Sequence, residues 1–104
     1  MELKVSSPGH KLLDEDIDGI QHDLEKIDRR LHNFDTVYTE VRIGTSEGPT
    51  EYHVTIELEY GPNHLVAKCD SKDMRQGVRQ AREELLRQIN DRSRGSHSQY
   101  AKGR

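Results

Sequence analysis

The chain has one cysteine, Cys69, one phenylalanine, Phe34, and no tryptophan. A single thiol excludes an internal disulfide, so nothing argues for an oxidising compartment. No apolar stretch approaches the roughly 20 residues that cross a bilayer, nor the apolar core of a signal peptide. A soluble, cytoplasmic protein is expected. The glycines are scattered singly, which excludes a glycine-rich phosphate loop. Apolar side chains are also scarce: nine Leu, six Ile, six Val and the one Phe among 104 residues. That share lies just above the roughly 20% below which charged chains stay disordered, so the apolar residues must be well placed to build a core. The length suits one small domain.

Metal and catalytic patterns are missing too. The histidines (10, 22, 32, 53, 64 and 97) form no HxH or HxxxH spacing. His64 and Cys69 differ in parity on one extended stretch and would face opposite ways. The acidic run "DEDIDG" lacks the terminal glutamate of a calcium loop, and reads instead as a helix start. Cys69 falls at an inward strand position, where a thiol behaves as a small hydrophobe. No metal, cofactor, small-molecule substrate or enzymatic activity is expected.

What is present is patterned charge and patterned apolar spacing. The chain is net −3, but residues 1–60 hold 14 acids against 6 bases, while residues 61–104 hold 5 against 10. Such asymmetry suits either an anionic partner for the second half or attraction between the halves inside the fold.

"MELKVSS" alternates as a short strand, then "SPGHK" breaks it. Leu13, Ile17, Ile20, Leu24, Ile27 and Leu31 recur at steps of four and three. At about 100° per residue they fall within roughly 80° of arc, predicting an amphipathic helix capped at Asp14, with Glu15 and Asp16 at its positive end. Three alternating stretches follow: Val37, Thr39, Val41 and Ile43; Tyr52, Val54, Ile56, Leu58 and Tyr60; Leu65, Ala67 and Cys69. Short turns at "TSEGPT" and "GPN" make them an antiparallel meander. A second helix is predicted from near Ser71, capped by Asp70 or Ser71, with Met74, Val78, Ala81, Leu85 and Ile89 buried. Beyond Arg92 the pattern stops, and residues 94–104 read as a flexible basic tail to the 1–93 domain.

The order β-α-β-β-β-α predicts an α+β, two-layer sandwich, with a four-stranded sheet and both helices on one face. The other face, with Tyr38, Arg42, Thr55, Glu57 and Lys68, is then left to solvent.

Arginines crowd the second helix. With Met74 at 0°, Arg75, Arg79 and Arg82 fall near 100°, 140° and 80°, along one flank of the buried stripe. Glu83 is spaced to pair with Arg79, but Arg75 and Arg82 have no acidic neighbour on their own helix. The strip reads either as a solubilising face or as a phosphate-contacting ridge, for which the planar fork of arginine is suited.

The element order and the helix "CDSKDMRQGVRQAREELLRQIN" resemble the ribosome hibernation-promoting factor and ribosome-associated inhibitor family, in its short form. That family opens this helix with "DMY" and closes it with "KLxRQL"; here Asp73-Met74 matches the opening, and Leu85 with Arg87-Gln88-Ile89 the end. Gly77 falls at a small-residue position, and "GPN" resembles the family's "PNG" turn. Arg75 stands where the family has tyrosine, Glu84 where it has lysine, and this chain is acidic overall. The resemblance covers about residues 2–92. It implies a monomer that binds the small ribosomal subunit in the mRNA and tRNA channel, through rRNA phosphates and shape. By matching position the RNA-binding residues are Lys26, Arg29, Arg30, Lys68, Lys72, Arg75, Arg79, Arg82 and Arg87. A competing reading is a protein-interaction or regulatory module of the same fold without RNA binding, and a more distant one is a double-stranded-RNA binder.

Overall fold

The computed structural model describes the backbone of residues 1–45 and 51–101, with side chains through residue 93. Its elements are β1 (Glu2–Ser6), α1 (Asp14–Arg30), β2 (Val37–Thr45), β3 (Tyr52–Tyr60), β4 (Asn63–Ser71) and α2 (Met74–Ala101). The four strands lie in sequence order in one sheet, β1 parallel to β2 and the rest antiparallel. This is the α+β arrangement that the alternation and helix periodicity predict.

Register follows from parity. Val37, Val41 and Ile43 on β2, Val54, Ile56 and Leu58 on β3, and Leu65 and Ala67 on β4 share the inner face and are buried. Ile20, Leu24, Ile27 and Leu31 of α1 and Val78, Ala81, Leu85 and Ile89 of α2 close over them in one core. The β3–β4 hairpin turns through Gly61-Pro62, with Gly61 at φ +54°. A positive φ at the first loop position is what a two-residue II′ hairpin needs, and only glycine takes it without strain. Phe34 packs beside it, edge-to-face on Tyr60 at 5.0 Å.

Gly77 has a packing reason. A Cβ there would lie 3.0 Å from Val54 Cγ2 and 3.3 Å from Ser71 Cβ. The helix therefore approaches the sheet more closely than an alanine would allow.

Several helix ends differ from expectation. Leu13, not Asp14, is the N-cap of α1, and the Asp16 carboxylate accepts its N–H at 3.1 Å. Leu13 and Ile17 are 52% and 37% exposed, so burial begins only at Ile20. Periodicity reports which side a residue faces, not how far along the sheet the helix is covered. At α2, Asp70 and Ser71 are held in β4 by pairing with His53 and Tyr52. The cap passes to Asp73, whose carboxylate accepts the Arg75 N–H at 3.1 Å. The backbone of α2 runs on to Ala101, past the end of its apolar stripe, because helical hydrogen bonding does not require a buried face. The side chains of the expected tail, 94–104, lie outside the described residues.

Candidate nucleic-acid interface

The two helices pack side by side on the sheet, and the flank of α2 carrying Arg75, Arg79 and Arg82 is the one that faces α1. On α1, positions 19, 23, 26 and 30 recur at helical spacing and turn one flank toward it. Gly19, Asp23, Lys26 and Arg30 occupy them.

Asp23 is the centre of this seam, only 6% exposed. Its Oδ2 accepts from Arg75 Nε at 2.8 Å, and its Oδ1 lies 3.5 Å from Arg79 Nε. Its backbone carbonyl accepts from Arg82 Nη1 at 3.1 Å. Burial acts to raise the Asp23 pKa, but the hydrogen bond and charge of Arg75, with Arg79 behind it, outweigh burial and hold the carboxyl below its ordinary value. The like-charged pair Arg75 and Arg79, one turn apart, is tolerable because one carboxylate lies between them.

Further along, Glu83 is shared by Lys26 at 3.3 Å and Arg82 at 2.8 Å. It does not pair with Arg79, as spacing alone suggested, because Lys26 reaches it from α1 and its carboxylate turns to Arg82. Arg30 forks onto Asn90 Oδ1 through Nε at 3.2 Å and Nη2 at 3.1 Å. The seam thus sets four cations (Arg75, Arg79, Arg82 and Lys26) on two carboxylates, Asp23 and Glu83, with a fifth, Arg30, held by Asn90. It keeps a positive excess despite the acidic total.

The nine candidate residues are not all brought together. Lys26, Arg30, Arg75, Arg79 and Arg82 line the seam. Arg82 is 17% exposed in its side chain, and its three guanidinium nitrogens are spent on Glu83 and the Asp23 carbonyl. Among the described residues Arg75 and Arg79 commit only Nε, and their side chains are 29% and 47% exposed. Lys72 lies in the connection between β4 and α2, in an open cleft with His10, Lys11, Tyr52 and Arg75. Arg29 is exposed on α1, off the seam. Arg87 is on the opposite flank of α2, spent on Glu84 and on Asp91 at 2.6 Å. Arg87 and Gln88 together hold the Glu84 carboxyl down to about 2. Lys68 is on the outer sheet face, opposite Thr55. Arg29, Lys68 and Lys72 make no ion pair with any described residue.

That outer face mixes its signs. Glu40 and Glu57 sit directly opposite each other, and Arg42 bridges them at 3.5 and 2.7 Å. His64 meets Glu57 at 2.9 Å and His53 meets Asp70 at 2.8 Å. Among the described residues no three His, Cys, Asp or Glu side chains gather as a metal set. Cys69 is partly buried, its Sγ 2.8 Å from Gln80 Oε1, and burial raises its pKa. Among the described residues no helix is long and apolar enough to cross a membrane.

Asp23 and Asn90 escaped the sequence reading. The available signal for Asp23 was an acid about 40° beyond the edge of the arc set by Ile20, Leu24 and Ile27, bordering the buried stripe.

A mixed four-stranded sheet with two helices on one face and a basic seam between them defines a small α+β domain. The N-terminal domain of Protein Y from Thermus thermophilus shares this fold, with a TM-score of 0.76, 16% identity, and 86% of this chain and 96% of that one covered. A ribosomal subunit interface protein from Coxiella burnetii aligns with a TM-score of 0.72 and 13% identity, over 89% of this chain and 98% of that one. No protein-family model and no curated protein matches the sequence.

Proposed function

We propose that this chain is a non-enzymatic, ribosome-associated translation inhibitor of the hibernation-factor kind. It acts as a monomer in the cytoplasm and blocks the small subunit by occupying the mRNA and tRNA channel. The observation that carries this reading is the helix seam, where four cations share two carboxylates and Arg30 adds a fifth charge, on a fold shared with a ribosomal subunit interface protein. Arg75 and Arg79 keep their terminal Nη groups for rRNA phosphate oxygens, with Lys26 and Arg30 beside them and Lys72 at the end of the row. Arg29 extends the contact on α1. Arg82, Arg87 and Lys68 play a smaller part, since two are saturated with intramolecular partners and the third lies behind the sheet. With no base-reading constellation, recognition runs through phosphate and shape.

Co-sedimentation with purified small subunits tests this. The chain is expected to pellet with them at low salt and to be released steeply as salt rises. Absence of pelleting at every salt concentration overturns the proposal.

One observation favours a second reading. Asp23 takes up part of the charge of Arg75 and Arg79, as attraction between an acidic first half and a basic second half requires. On that reading the chain is a protein-interaction module, and it binds a protein partner while ignoring ribosomal subunits.

A further inference from the structure

Arg75 has a purpose-built seat. Its Nη1 would lie 1.8 Å from a Cβ on Gly19, so the guanidinium occupies the volume that any side chain there would need. One turn on, the buried Asp23 carboxylate takes its Nε. Two residues of α1, one by absence of a side chain and one by charge, therefore specify the same position. The same carboxylate reaches Arg79 with its other oxygen. An anion bridging two guanidiniums from beside them is also what a bound phosphate would be.

We propose that Asp23 is a selectivity residue, an internal counter-charge that lowers the affinity of the seam for arbitrary polyanions. The inference rests on the RNA-binding reading above and names how that site discriminates. In the free chain Asp23 holds the two forks in place and cancels part of their charge. A phosphate arriving at the Nη groups meets a neighbouring carboxylate that is fixed by α1 and too buried to swing away. One phosphate in a flexible strand gains little there. A rigid surface presenting several phosphates in register gains along the whole row and offsets the repulsion. Specificity of this kind works by penalising the wrong partner rather than by adding contacts to the right one. The other charged groups near these forks are Lys26, Arg30, Arg82 and Glu83 along the seam, and Asp16 and Asp73 toward the start of α2.

The test compares the wild-type chain with D23N and G19A, each checked for folding by thermal melting. Binding to a labelled oligouridylate and to purified small subunits is measured across a salt series. D23N keeps the shape and removes the charge. Its affinity for oligouridylate is expected to rise about tenfold at low salt, with a slope against log salt steeper by about 0.7 for each phosphate gained. Its preference for subunits over oligouridylate falls accordingly. G19A keeps the carboxylate but evicts Arg75 from its seat, and oligouridylate binding is expected to rise about threefold. Unchanged or weaker oligouridylate binding by folded D23N overturns the assignment, and G19A decides in the same way if D23N does not fold. Failure of the wild-type chain to bind subunits overturns the functional reading instead. A rise in oligouridylate binding by the variants then still supports the counter-charge role of Asp23.

Discussion

Asp23 and Arg75 are 52 positions apart in the chain and 2.8 Å apart in the fold. That contact joins the acidic first half to the basic second half and fixes the packing of α1 against α2. It also changes what the arginine strip means, because the flank that a helical wheel leaves bare is covered by the neighbouring helix.

Asp23→Ala is therefore expected to cost about 1–3 kcal/mol, since it leaves Arg75 and Arg79 facing each other without their carboxylate. A double-mutant cycle with Arg75→Ala in urea checks this. The coupling is expected at about 1 kcal/mol, below that of a fully buried pair, because Arg75 is partly solvated.

The pH dependence has a definite sign. The folded pKa of Asp23 lies below its ordinary 3.8, so the pair contributes stability above that value and loses it as pH falls through the folded pKa. The stability difference between wild type and D23N is expected to stay constant from about pH 7 to pH 5 and to close below pH 3.8. Denaturant titrations at stepped pH measure it, and the exposed carboxylates shared by both proteins cancel.

Gly77→Ala tests the close approach of α2 to the sheet. Alanine improves helix propensity by about 1 kcal/mol, yet its Cβ must displace Val54 and Ser71. A net loss of about 1–2 kcal/mol is expected, partly recovered when Val54→Ala is added and assessed as a cycle.

Position along a helix separates two residues that the sequence treats alike. Leu85→Ala, at a fully buried site, is expected to cost about 2–5 kcal/mol, whereas Ile17→Ala, at a site 37% exposed, costs under about 1 kcal/mol. Melting curves of the two variants check the contrast.

Much of the fold was legible because parity and helical spacing are local. Val37, Val41 and Ile43 alternate with Tyr38 and Arg42, and the inner face of β2 follows. Legibility fails where the deciding partner is distant. The exposure of Ile17 depends on the extent of the core beneath α1, and the N-cap of α2 on how far β4 pairs before releasing the chain. The site was half visible for the same reason. The strip of Arg75, Arg79 and Arg82 lies on one helix and can be drawn from its spacing. Asp23 belongs to another helix, and only packing shows that it fills the gap between two of them. Replacing Arg75, Arg79 and Arg82 together removes their contacts with α1, and a lower Tm is predicted for that triple variant.

Arg79 offers the cleanest probe of RNA binding, being the most exposed of the three and 3.5 Å from Asp23. The most direct measurement is the slope of log affinity for small ribosomal subunits against log salt, for the wild-type chain and for Arg79→Ala. A steep negative slope in the wild type, reduced by about 0.7–1 in the variant with Tm nearly unchanged, is the expected result. Salt-independent binding, or an identical slope in both proteins, would contradict a phosphate-binding seam.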